Sequence, residues 1–137
     1  AGMGFSNVGL GIAHSMAHTL GAVYDTPHGV ANSLFLPYIM EFNIPACPER
    51  FADIADAMGI EREESMSDEQ YALKAVEYVK ALNRKLNIPT IKEIKGITEE
   101  RFEAIAERSA NNVLSNDNAR KITKEDYLEL LKKAYNE

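Results

Sequence analysis

The chain of 137 residues sets 15 Lys and Arg against 21 Asp and Glu, a net charge of -6, with 45% hydrophobic and 26% charged residues. That balance fits one compact soluble domain, is not that of a disordered or disulfide-framed chain, and gives no basic footprint for nucleic acid or anionic lipid. The single cysteine, Cys47, forbids an internal disulfide, and no apolar run reaches the roughly 18 residues of a membrane span. With no charged-then-apolar leader at the start, these features point to a cytoplasmic protein that does not engage membranes.

Charge is unevenly spread along the chain. From Ala1 to Met40 the only charged side chain is Asp25, and all three histidines, His14, His18 and His28, lie in that stretch. Its ionisable chemistry is therefore expected where water is scarce. Val8, Leu10, Ile12, Ala13, Met16, Ala17 and Leu20 run almost all round a helix from about Asn7 to Leu20, with Gly21 as its C-cap. Gly9 and Gly11 each cost a helix interior about 1 kcal/mol relative to Ala, which implies a close backbone approach or a late helix start. Pro27 marks a tight turn, and a second apolar segment follows from about His28 to Phe42, with Pro37 expected to bend or split it.

Pro48 suits a helix first turn, and Phe51, Ile54, Ala55 and Met58 complete a short amphipathic helix that Gly59 closes. The run from Glu61 to Glu69 is a solvated charged surface. Ser67 and Gln70 have capping-box spacing, followed by an apolar stripe of Ala72, Ala75, Val79, Leu82 and Leu86 that Asn87 and Pro89 end. Thr98 is expected to cap a helix carrying Phe102, Ile105, Ala106 and Val113, and Thr123 one carrying Tyr127, Leu128, Leu131 and Ala134. No segment alternates with period two, so the expected fold is all-α: a single helical domain over residues 1–137, a bundle of about six helices.

His14 and His18 are four residues apart, which places them on one helix face with Cβ atoms about 6 Å apart. The turn at Pro27 can return His28 to the same place, so three imidazoles can converge. Imidazole nitrogen suits zinc, iron, copper and nickel, and neutral histidine also shuttles protons, which leaves a metal site and a proton relay both open. An HxxxH spacing by itself is weak, since such pairs are more often packed or surface side chains. Apolar neighbours raise the stakes, because an unsatisfied buried imidazole costs about 1–3 kcal/mol. Gly9-Leu10-Gly11 is not a dinucleotide loop: the third glycine and the preceding strand are missing. Asp25 reads as a turn former ahead of a ligand, and Asn32 either orients a polar group or bonds to backbone. Met16, Met40, Phe5, Phe35 and Phe42 read as core. Three histidines supply at most three ligands and no fourth is evident, so the pattern is part of a site.

The string from Gly9 to Asn43, GLGIAHSMAHTLGAVYDTPHGVANSLFLPYIMEFN, resembles the histidine signature of the iron-containing (group III) alcohol dehydrogenases. It joins HxxxH, a following glycine, a PHG triplet and a closing LP with FN; residues 1–7 and the later helices extend the likeness over nearly the whole chain. The resemblance implies the latter part of a helical, metal-binding C-terminal domain, with the N-terminal nucleotide-binding domain absent. It implies His14 and His28 as metal ligands, an aspartate and a further histidine contributed from upstream, and His18 as the catalytic neighbour of nicotinamide and substrate. The implied cofactors are a divalent metal, iron ahead of zinc, and NAD or NADP bound mainly by the absent domain. The implied substrate is a small alcohol or aldehyde, and the isolated chain is expected to be inactive. Asn118-Ala119-Arg120 departs from the Asn-Pro-Arg that such proteins often carry, which leaves no role assigned to Arg120.

Two other readings compete: an independent helical module in which all three histidines hold one ion, and a non-catalytic interaction bundle whose histidines are packed. A piece of a larger helical domain also exposes apolar surface, so self-association into a homo-oligomer is expected.

Overall fold

The computed structural model describes Met3 and residues 10–137. Among the described residues the fold is all-helical, with α1 (Gly11–Tyr24), α2 (His28–Asn43), α3 (Pro48–Ala57), α4 (Asp68–Lys85), α5 (Phe102–Ala110) and α6 (Lys124–Asn136). Short 3-10 turns lie at Ile44–Ala46, Ile91–Glu93, Glu99–Arg101 and Val113–Asp117. The expected six-helix all-α layout holds.

Two apolar cores divide the structure. In the larger one Ile12, Met16 and Leu20 of α1 meet Phe35 of α2, Phe102 and Ile105 of α5, and Tyr127 and Leu131 of α6. In the smaller one Met40 and Ile44 meet Ala52 and Ala55 of α3 and Tyr71, Ala75 and Val76 of α4. α2 serves both, since it packs on α1 and on α4 and gives Phe35 to the larger core and Met40 to the smaller.

Local chemistry explains most boundaries. Pro48 opens α3 in its first turn, and the Ser67–Gln70 and Thr123–Asp126 pairs form reciprocal capping boxes that start α4 and α6. Several expectations need correction. α1 begins at Gly11, which has φ +69, so the late start is the one adopted; Asn7, Val8, Gly9 and Phe5 fall outside the described residues. It also runs past Gly21 to Tyr24, and Asp25 at φ 51 takes the left-handed stop instead. Asp25 is thus a turn residue, as its sequence context indicated.

Pro37 neither splits nor ends α2. Proline has no N–H to offer the carbonyl four residues back, which is that of Ser33. The Asn83 Nδ2 group of α4 donates to that carbonyl at 2.6 Å, so the missing bond is replaced from outside the helix. The expected Thr98 cap is not made; a 3-10 turn intervenes and α5 starts at Phe102. Val113 lies in the next 3-10 turn, 76% exposed, and Leu82 and Leu86 at the end of the α4 stripe are 41% and 61% exposed.

Candidate metal centre

The left-handed residue Asp25 and the extended Pro27, whose carbonyl accepts from Ala31 N–H at 3.0 Å, turn the chain so that His28 opens α2. His14 and His18 project from the first two turns of α1. The three rings gather: centroids are 5.2 Å apart for His14 and His28, 5.2 Å for His18 and His28, and 6.4 Å for His14 and His18. Their environment is wetter than expected. His14 is half-buried, whereas His18 and His28 are exposed, because this face of the hairpin points away from the larger core.

The electrostatics favour a neutral His14 ring. Burial lowers the pKa of His14 below its usual value, and the potential charges on His28 and then His18 lower it further. The Leu10 backbone opposes this shift without making a well-directed bond to Nδ1, which is buried and has no hydrogen-bond partner. Asn32 Nδ2 lies 3.0 Å from His28 Nε2 and donates to the His28 carbonyl at 3.0 Å. A carbonyl can only accept, so the amide nitrogen is the Asn32 atom facing both the carbonyl and the His28 ring. Asn32 therefore bonds to both ring and backbone. Its Oδ1 and the hydroxyl of Thr26 are also buried without partners.

This donor set suits a borderline divalent cation: three imidazoles, one with an unpaired buried nitrogen, at mutual distances that a shared neighbour can bridge. It is nevertheless unfinished. Among the described residues no group of three or more His, Cys, Asp or Glu side chains is arranged to hold an ion. Ligation through His28 Nε2 also requires the Asn32 amide to leave that atom.

Arg120 works elsewhere. It donates to the Phe42 carbonyl at 3.1 Å and stacks 4.2 Å from the Phe42 ring centroid, while Asn118 and Asn43 exchange amide bonds of 2.7 and 3.0 Å. These contacts pin the far end of α2, about 21 Å along the helix from His28. Sequence reasoning passed over a buried set of hydroxyls beneath the histidines: Ser15 and Thr19 of α1, Ser109, Ser115 and Tyr127. The available signal was the pattern His-Ser-x-x-His-Thr, which repeats a hydroxyl after each imidazole of α1.

The profile of the family described as "Fe-containing alcohol dehydrogenase family, C-terminal" matches residues 1–135. Lactaldehyde reductase of Escherichia coli (strain K12) is 47% identical over 135 residues, 98% of this chain and 35% of that protein. The solved structure of alcohol dehydrogenase from Oenococcus oeni superposes with a TM-score of 0.90 at 42% identity, covering 98% of this chain and 35% of that one. A 1,3-propanediol oxidoreductase structure gives 0.89 at 38% identity, covering 97% and 35%. The chain thus spans about a third of the length of these relatives.

Proposed function

Since the chain belongs to the iron-containing alcohol dehydrogenase family, as its C-terminal part, we propose that it forms one wall of a metal-dependent site for hydride transfer between a small alcohol or aldehyde and NAD or NADP. In this reading residues 1–137 are one helical domain, and the parent protein adds a nucleotide-binding domain, an aspartate and a further histidine. His14 and His28 hold the cation, iron ahead of zinc, and His18 is the catalytic residue. A bound divalent cation supplies Lewis acidity that eases loss of the alcohol proton, and the nicotinamide takes up the hydride.

This chain's own part is definable from its atoms. His14 is kept neutral by burial and so offers a lone pair at neutral pH without first losing a proton. His28, in contact with Asn32, stands across from it, and His18 sits on the exposed side, where a ring can pass a proton between substrate and water. The observation that carries the reading is the convergence of three rings from two helices, 5.2 Å from His28 in both directions. The independent module is disfavoured, because the trio makes no finished cage among the described residues. Family membership disfavours a non-catalytic bundle. Among the described residues no helix is long and apolar enough to cross a membrane; the reading adds a cytoplasmic homo-oligomer.

A chimera tests this directly, with this chain replacing the matching 135 residues of the Escherichia coli lactaldehyde reductase. The chimera is expected to reduce small aldehydes with a nicotinamide cofactor, and His14→Ala or His28→Ala to lower turnover by about 100-fold or more. The isolated chain is expected to show none. Full activity in a folded His14→Ala chimera, or turnover by the isolated chain, overturns the proposal.

A further inference from the structure

We propose that Ser15, Thr19, Ser109, Ser115 and Tyr127 are positioning residues that lock the rotation of α1 about its axis and so hold the His14 and His18 rings against His28. The inference deepens the metal-site reading and rests on it for its functional meaning, while its geometry stands independently.

α1 carries two parallel rails. His14 and His18 form one; Ser15 and Thr19, each one residue further on, form the other, about 100° around the helix. The hydroxyl rail points inward, at 0% and 2% exposure, where an apolar helix face would ordinarily place Leu or Val. Ser15 Oγ donates to the Ser109 carbonyl at 2.7 Å, and Ser115 Oγ reaches the same carbonyl at 2.8 Å. Ser109 Oγ donates to Thr19 Oγ1 at 3.1 Å, and Thr19 Oγ1 donates to the Ser15 carbonyl at 3.1 Å. The Tyr127 hydroxyl lies 2.7 Å from Ser115 Oγ, and Ser115 Oγ lies 3.1 Å from Ser15 Oγ.

Five hydroxyl hydrogens serve six contacts, so one contact is without a proton in any single arrangement. A hydroxyl has one hydrogen to give. With the Ser15 and Ser115 hydrogens directed at Ser109 and its neighbours, Tyr127 is the donor to Ser115. Burial pushes the Tyr127 hydroxyl pKa up, so that proton is present at neutral pH. Every hydroxyl of the set then has an acceptor; the Ser15–Ser109, Ser109–Thr19 and Ser15–Ser115 contacts depend on the rotational setting of α1 against α5 and the Val113–Asp117 turn, and Tyr127 of α6 braces Ser115 from the other side.

Directionality is what separates this network from ordinary packing. Apolar side chains tolerate small rotations, whereas a connected buried network is satisfied in one arrangement and loses several bonds together in any other. The lever is large: a rotation of about 20° moves an atom at the 5–6 Å helix radius by about 2 Å. Against ring separations of 5.2 Å, that shift takes His14 and His18 out of register with His28. A ligand set must be held much more tightly than this to favour one coordination geometry.

The test is nuclear Overhauser spectroscopy on the full chain, histidine-labelled and metal-free, reading cross-peaks from the His28 ring to the His14 and His18 rings. Thr19→Val and Tyr127→Phe delete single hydroxyls at nearly constant volume. Both are expected to keep the helical circular dichroism of the parent chain and to lose the His28 cross-peaks, while Thr19→Ser retains them. Should Tyr127→Phe fail to fold, Ser115→Ala in the part-exposed turn is expected to give the same loss. Folded Thr19→Val and Tyr127→Phe proteins with undiminished cross-peaks would show that the network only stabilises, and would overturn the proposal. So would Thr19→Ser failing together with Thr19→Val. If these cross-peaks respond as expected while the chimera binds no metal, the metal reading falls and the positioning role stands.

Discussion

The α1–α2 hairpin and the α3–α4 pair are built from comparable apolar helices, yet they treat polar groups differently. In the α3–α4 half the polar atoms find partners within reach: Tyr71 donates to the Ile60 carbonyl at 2.6 Å, Ser67 and Gln70 cap α4 reciprocally, and Arg62 meets Asp68 at 2.7 Å. In the hairpin the buried atoms His14 Nδ1, Thr26 Oγ1 and Asn32 Oδ1 have none, and no other such side-chain atom occurs among the described residues. Leaving buried polar groups unpaired costs about 1–3 kcal/mol each, so a fold does not concentrate them at random. The α3–α4 half satisfies its buried polar side-chain atoms from within, and the unpaired ones among the described residues all lie in the hairpin.

The comparison can be strained by substitution, beginning with the largest effect. Leu20→Ala in the larger core is expected to cost about 2–5 kcal/mol, and Val76→Ala in the smaller core roughly 1–3 kcal/mol, both read from urea denaturation. A Val76→Ala protein weaker than Leu20→Ala would reverse the ranking of the two cores. A gentler effect concerns pH. His14 has a folded pKa below its unfolded value of 6.5, so above that pH both states are neutral and its environment costs nothing. As pH falls below 6.5 the unfolded state binds the proton first, and stability declines until the folded pKa is passed. Denaturation midpoints of the metal-free chain should therefore drop between neutral and mildly acid pH, and His14→Asn should flatten that slope; an unchanged slope contradicts the burial argument. Smallest of all, His18→Ala is expected to shift stability by no more than about 0.5 kcal/mol, because the side chain is exposed. It lies two positions from Leu20, so the pair contrasts the outer and inner faces of one helix.

The helical layout was legible because its signals are local. Pro48, the Ser67–Gln70 box and the Thr123 cap each act within four residues, and all three mark true helix starts. What escaped depends on distant partners. Pro37 is tolerated because Asn83 bonds the Ser33 carbonyl it leaves free, across a separation of 50 positions. The hydroxyl network was hidden for the same reason, since Ser15 meets Ser109 and Ser115 at separations of 94 and 100. The HxxxH spacing located two imidazoles on one face, and Pro27 hinted at the return of His28, but neither told which side of the helix water would reach. Apolar composition around the histidines implied burial; the structure places the apolar side chains inward and leaves His18 and His28 outward. Which ring ligates and which relays a proton came from family resemblance, because spacing treats all three alike.

The central claim is that the histidine trio is one portion of a shared site. It is tested most directly by titrating zinc into the isolated chain and into the chimera under the same conditions. The account predicts weak binding by the chain alone and tight one-to-one binding by the chimera, with His14→Ala and His28→Ala more damaging there than His18→Ala. Tight stoichiometric binding by the isolated chain, lost equally when any of the three histidines is replaced, would contradict it.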